Sequence, residues 1–487
     1  MVTRVASFFF RIYLSRKIGA ESLGIYQIAL SIFFLFSTFS SGLPLTLSRK
    51  TAEARALGDK KGEPSLISAT LILGLVVSGI VVVVFYLFYP HLSFIFSDKR
   101  CIPLFLLLLP SCISTAVYGI VRGWFWGNKN YNIFALTEFF ECIVRISLGV
   151  IFVSGIVGDI SGATGTALSF TLSDYVCTLL IFALFFVYGG RLKRPKGFKK
   201  VSKTAVTLTA VRLYNSLINS LVAIIVPAML VSCGLSQSDA MADYGRVMGM
   251  ALPLILSPSM LTGAINTMLV PELATLKARG SRSELINKTE GSLKLAITCA
   301  LAFLVIFVPL GEKIGLLFYN DAIAGRYVSN ASFVMIPIVL NGVSSTIMDS
   351  LGLEVKTMRN FIIGSVFLLL CLFLLPSFIG VYAIVVGFAL SYGITTILNL
   401  AVVKKELRSS YRSLVSSSLV QFMMALLSIF GANFIKNLTS GLPLLTSIVI
   451  PALFGVLFFG ISNLALGQID GAMFFTSKKR LKKEKSR

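Results

Sequence analysis

The sequence predicts an all-α, polytopic membrane protein with about fourteen transmembrane helices. Three observations carry that expectation. Of 487 residues, 56% are hydrophobic and 13% charged, against roughly a quarter charged in soluble domains. Apolar runs of about twenty residues, long enough to span hydrocarbon, recur from end to end. Lys and Arg gather in short clusters between those runs, alternately dense and sparse, as the positive-inside rule requires.

In chain order, the runs and their breakers place spans near 2–18, 23–48, 65–90, 102–122, 131–156, 161–189, 204–232, 240–270, 291–310, 329–352, 357–378, 380–402, 413–435 and 441–467. The first is short, with Arg4, Arg11, Arg16 and Lys17 set into apolar sequence and no acid before Glu21. The third ends at Pro90 and His91, the fourth runs into Trp124 and Trp126, read as interfacial anchors. The fifth holds Glu138, Glu141 and Arg145, and the sixth Asp174. Pro44, Pro110, Pro227, Pro253, Pro258 and Pro337 fall inside spans, where bent or broken helices around a cavity are a transporter trait. Beginning with 49–64, alternate loops hold 31 Lys and Arg residues, and the intervening loops hold 7. That contrast puts both termini in the cytoplasm.

Two weak echoes, "ESLGIYQIALSI" with "DAMADYGRVMGMALPLI" and "ARALGDKKGE" with "LKARGSRSE", recur at one offset and in one direction. They suggest parallel repeats. The organisation expected is an N-lobe at 1–190, a basic cytoplasmic linker at 191–203, a C-lobe at 204–403, two further helices at 413–467 and a basic tail at 478–487.

The net charge of +23 sits in loop clusters, which fits topology and anionic lipid rather than nucleic acid. Seven scattered cysteines with no C-x-x-C pair, and one histidine, point to neither a metal site nor a redox motif. No cofactor is called for, and no P-loop is present to bind ATP.

Six cations remain inside spans: Arg4, Arg11, Arg145, Arg212, Arg246 and Lys294. An intramembrane arginine costs about 2.5–3.5 kcal/mol on insertion scales, so each calls for a partner or a wet cavity. Arg4 and Arg11, seven residues apart, share a helical face about 10 Å along the axis; they line a cavity or snorkel. Arg212, Asn215, Ser216 and Asn219 form a second polar stripe, lining a cavity or a helix-packing seam. Arg246 has Asp243 within reach, and Glu141 with Arg145 reads as a structural ion pair.

The stretches "TRVASFFFRIYLSRKIGAESLGIYQ", "SSGLPLTLSRKTAEA", "VRGWFWGNKNYNIFALTEFFECIVRI" and "YGRVMGMALPLILSPSMLTGAINTMLVPELA" resemble the stage V sporulation protein B family. This is a polysaccharide-transporter branch of the superfamily that also contains multidrug exporters and lipid II flippases. The resemblance covers essentially the whole chain. It implies a two-lobe flippase for undecaprenyl-diphosphate-linked saccharide in the membrane of a spore-forming bacterium, acting in cell-wall or peptidoglycan synthesis. It implies a monomer that meets lipid-linked saccharide, membrane lipids and cell-wall enzymes, with coupling to membrane potential, Na⁺ or H⁺ left open. Arg4 and Arg11 match the first-helix arginines of such flippases, and 413–467 matches their groove for the lipid tail; Arg212, Arg246, Asn215 and Asn219, read from their place inside spans, are the further candidate diphosphate ligands. Two departures stand out. The second span lacks the charges of lipid II flippases, and the first arginine lies so near Met1 that a misassigned or truncated start is expected. Among rival readings, a drug or cation exporter calls for an acidic cavity. A membrane glycosyltransferase or polymerase calls for catalytic acids on an external loop, where 311–328 offers Glu312 and Asp321. A noncatalytic scaffold would not need intramembrane arginines.

Overall fold

The computed structural model describes residues 2–56, 63–89, 91, 96, 98–154, 162–408 and 410–468. The basic tail expected at 478–487 lies outside them. Among the described residues there is helix and no strand. Eleven helices among those residues are long and apolar enough to cross a membrane, or up to twelve if a bent pair counts as one span. Fourteen were expected, and the difference lies in two places. Val2–Arg55 forms one continuous apolar stretch where two spans were expected. The helix Tyr131–Val153 carries three charges, Glu138, Glu141 and Arg145, and so falls outside the apolar set.

The chain divides into two compact units, Met1–Gly249 and Met250–Arg487. The first contains α1 (Val2–Ser37), α2 (Gly42–Ala56), α3 (Glu63–Leu87), α4 (Cys101–Leu108), α5 (Ser111–Gly127), α6 (Tyr131–Val153), α7 (Gly162–Val187), α8 (Phe198–Ser232) and α9 (Gln237–Tyr244). Gly19 breaks α1 at φ +76°, a conformation only glycine adopts cheaply. Pro110 separates α4 from α5, its ring being compatible with a helix start and not a helix middle. The core gathers Leu43, Leu47, Ile67, Phe125, Ile181 and Phe185. Trp124 belongs to it, buried with its indole N–H on Glu63 Oε1 at 2.6 Å. It is therefore not an interfacial anchor, whereas Trp126 is 52% exposed.

Glycines set the closest approaches. A Cβ on Gly24 would strike the Met241 carbonyl oxygen, and one on Gly245 would strike that of Ala20. The two echoing segments of the sequence thus lie against each other.

A π-helical turn, Gly245–Ala251, joins α9 to α10 (Leu252–Ile255). The second unit continues with α11 (Ser257–Ala278), α12 (Arg282–Tyr319), α13 (Ala322–Ala331), α14 (Met335–Ser350), α15 (Glu354–Leu374), α16 (Pro376–Ile379), α17 (Tyr382–Leu407), α18 (Arg412–Leu438) and α19 (Thr446–Ala465). Its core includes Leu293, Leu301, Val343, Ile347 and Val403. The stretch 311–328, expected as an external loop, is largely helical. There α12 runs on to Tyr319 because Gly311, Gly315 and Gly325 let α13 pack backbone to backbone against it. In the interior Asn360 Nδ2 of α15 donates to Asn399 Oδ1 of α17 at 2.9 Å, and Asn399 Nδ2 donates in turn to Ser344 and Ser345 of α14. Large apolar side chains such as Ile80, Leu419, Phe430 and Leu457 stand exposed, as a hydrocarbon solvent permits.

Candidate functional site

The first segment of α1 carries Arg4 and Arg11. One face of that segment is seated on α6 and the start of α7. Ser7 Oγ lies 3.7 Å from Cys142 Sγ, and that thiol donates to the Thr3 carbonyl at 3.6 Å. Phe10 packs on Gly149 and Ile18 on Gly162, each filling the space a Cβ would take. The two arginines sit on the flank of this seam, roughly 20° apart around the axis. Arg4 is exposed and Arg11 half-buried. Arg4 has no carboxylate partner among the described residues. Arg11 acts electrostatically on the buried Tyr26 hydroxyl, and so does Arg145.

The α8 stripe is stitched to α1 and α2. Arg212 donates to the Ser41 carbonyl at 2.9 Å, Ser220 to the Ser31 carbonyl at 2.9 Å, and the Gly42 N–H to Thr209 Oγ1 at 3.2 Å. Arg212, Asn215 and Asn219 are nonetheless exposed or half-exposed along one side. Arg246, in the π-helical turn, is half-buried and pairs with Asp243 at 3.1 Å. Lys294 donates to Ser413 Oγ at 3.1 Å in the second unit.

A third constellation brings together residues that sequence reasoning left scattered. Arg145 binds Glu141 at 2.6 Å, lies 3.8 Å from Asp174 Oδ1 and stacks over the Phe170 ring at 4.6 Å. Asp174 is buried, and its Oδ2 accepts from Ser114 at 2.9 Å and Thr115 at 2.6 Å. Hydroxyls from α5 and a guanidinium from α6 thus hold one carboxylate of α7. Nothing local to Asp174 in the sequence signals this, because its partners arrive from those other helices. Glu138, one turn before Glu141, faces elsewhere: it binds Arg122 at 3.1 Å, which in turn lies over Phe134 at 3.9 Å. Near the Gly19 break, Arg100 bridges Glu21 at 2.7 Å and Asp98 at 2.8 Å. Hydrogen bonds to Asp98, then to Glu21, raise its pKa above the usual arginine value.

The eight candidate ligand and ion-pair residues, Arg4, Arg11, Glu141, Arg145, Arg212, Asn215, Asn219 and Arg246, fall in the first unit, and Lys294 in the second. Among the described residues, no group of three or more His, Cys, Asp or Glu side chains is placed to hold a metal.

Residues 1–277 match the polysaccharide biosynthesis protein family. The chain belongs to that family. It is 25% identical over 458 residues to stage V sporulation protein B of Bacillus subtilis (strain 168), spanning 90% of this chain and 88% of the relative. Sporulation protein YkvU of the same organism is 18% identical over 330 residues, 64% of this chain and 72% of the relative. Among solved structures, an inward-facing multidrug resistance MATE family transporter of the MOP superfamily matches with a TM-score of 0.71 at 15% identity. The match covers 83% of this chain and 94% of that one. A MOP superfamily transporter from Pyrococcus furiosus, described by a reversed polarity of its binding pocket, matches with a TM-score of 0.60 at 14% identity. It covers 83% of this chain and 93% of that one. The chain is thus a multi-pass membrane protein of the polysaccharide biosynthesis protein family with the fold of the MATE transporters.

Proposed function

We propose that the protein flips an undecaprenyl-diphosphate-linked saccharide, a peptidoglycan precursor or related cell-wall unit, from the cytoplasmic to the outer leaflet by alternating access. One observation carries the reading: the first helical segment holds four cations and no acid, with Arg4 and Arg11 on one flank. The substrate brings the anion that so cationic a segment suits. A lipid diphosphate bears about two negative charges, and the planar guanidinium fork suits phosphate oxygens. Arg212, Asn215 and Asn219 extend the polar surface for diphosphate or sugar, and Arg246, already shared with Asp243, contributes less net charge.

The saccharide occupies a wet cavity lined by these cations, the prenyl tail stays in lipid beside 413–467, and the protein works as a monomer alongside cell-wall enzymes. It sits in the bacterial cell membrane with both termini cytoplasmic. An inside-negative potential supplies about 2.3 kcal/mol per charge per 100 mV. It drives the bare diphosphate outward, or draws back the emptied cationic carrier when two arginines neutralise the cargo. Coupling to Na⁺ or H⁺ is compatible with either course.

The test is transbilayer movement of defined lipid-linked sugars in liposomes holding the purified protein. Each charge-assisted contact is worth about 1.5–3 kcal/mol, so Arg4→Ala and Arg11→Ala should each slow flipping by about tenfold to a hundredfold at unchanged membrane level. Full transport by both variants would refute the site.

A further inference from the structure

Within the first unit, α3, α5 and α7 line an open cleft of about 510 Å³. Its walls are hydrocarbon, from Leu71, Ile72, Leu75, Val117, Leu179 and Phe182. Two wall hydroxyls are already engaged. Ser68 Oγ donates to the Pro64 carbonyl at 2.9 Å and accepts the Lys193 N–H at 3.1 Å. Thr178 Oγ1 donates to the Asp174 carbonyl at 2.7 Å. A polar occupant would lose its hydration there without gaining partners, so whatever fills the cleft is apolar.

The mouth has the opposite character. Lys193 and Pro195 form its rim, within a stretch, 191–203, that holds seven cations and no acid. Arg191, Lys193, Arg194, Lys196 and Lys199 are exposed, and none has an ion-pair partner among the described residues. This segment is held against the start of α3 by the Lys193 N–H bond to Ser68 and by the Lys196 N–H bond to the Ser65 carbonyl at 3.4 Å.

We infer that this cleft binds an anionic glycerophospholipid, with one acyl chain between α3, α5 and α7 and its phosphate among the cations of 191–199. From Ser68 to Leu75 the wall descends about 10 Å, enough for the headgroup-proximal part of a chain. The site is separate from the arginines of α1 and does not depend on what the protein transports.

The experiment uses the full chain in detergent, with equimolar phosphatidylglycerol and phosphatidylcholine, and native mass spectrometry to count retained lipids. Phosphatidylglycerol should be kept over phosphatidylcholine by about tenfold or more. Reversal of Arg191, Lys193 and Arg194 to Glu should erase that preference, and so should filling the cleft with Leu75→Trp. Leu179→Trp, at a site already 72% exposed, serves if Leu75→Trp fails to fold. Equal retention of the two lipids would overturn the proposal, as would a preference that survives cleft filling. Displacement of phosphatidylglycerol by an equal amount of undecaprenyl phosphate would also overturn it, since the cleft would then belong to a transported lipid.

Discussion

Asp174 and Arg145 make the sharpest statement at the scale of single residues. Arg145 is shared between two carboxylates, Glu141 and the nearly inaccessible Asp174. Removing one member of a buried charge group leaves the others unpaired, at about 3–5 kcal/mol. Arg145→Ala should therefore lower the melting temperature in detergent and the steady-state membrane level sharply. Asp174→Asn keeps the shape and can still bond Ser114 and Thr115, so its loss should stay at about 1–3 kcal/mol. A milder loss in Arg145→Ala than in Asp174→Asn would show that the arginine is not what holds this carboxylate. Glu141 and Arg145 were legible from their spacing, four residues on one helix face. Asp174 was not, because its hydroxyl donors lie about sixty residues away on α5.

Hydropathy located nearly every helix, yet it misplaced the breaks between elements. It did put the first break, between 2–18 and 23–48, where Gly19 interrupts α1, but apolarity does not show that α12 runs on to Tyr319, which its glycine contacts with α13 do. The run 23–48 likewise divides at Thr38–Ser40, a short 3₁₀ turn whose hydroxyls bond back to the preceding turn. Trp124 departs from expectation for a similar reason: a tryptophan near a loop suits the interface until a carboxylate, Glu63, claims its N–H. The close crossing of α1 and α9 gives a prediction at this scale. Gly24→Val drives two methyl groups into the Met241 carbonyl, at about 3 kcal/mol or more, the upper end of overpacking. It should abolish accumulation of folded protein, measured by monodisperse elution in detergent. Gly79→Ala, which meets nothing within 4 Å, should be neutral in the same assay.

For the molecule as a whole, sidedness is the testable quantity. Cys233, at the end of α8, is exposed, while Cys101, Cys112, Cys177 and Cys371 are buried. In the proposed topology, with both termini cytoplasmic, Cys233 faces outward. A membrane-impermeant maleimide should label it in intact cells, and Cys233→Ser should remove that label; labelling only after permeabilisation would invert the proposed topology. The break at Gly19 reaches further still. Because the helical ladder is interrupted there, the stretch bearing Arg4 and Arg11 takes its aim from side-chain seats rather than from continuity with Ser22–Ser37. Phe10 rests where Gly149 leaves room, so a methyl group added at that glycine would pry the aromatic ring loose and swing both guanidinium groups off line. Gly149→Ala, which alters no charge and touches no arginine, is then expected to depress flipping while leaving Cys233 labelling intact, as a rudder jammed at its pivot turns a boat without harming the hull.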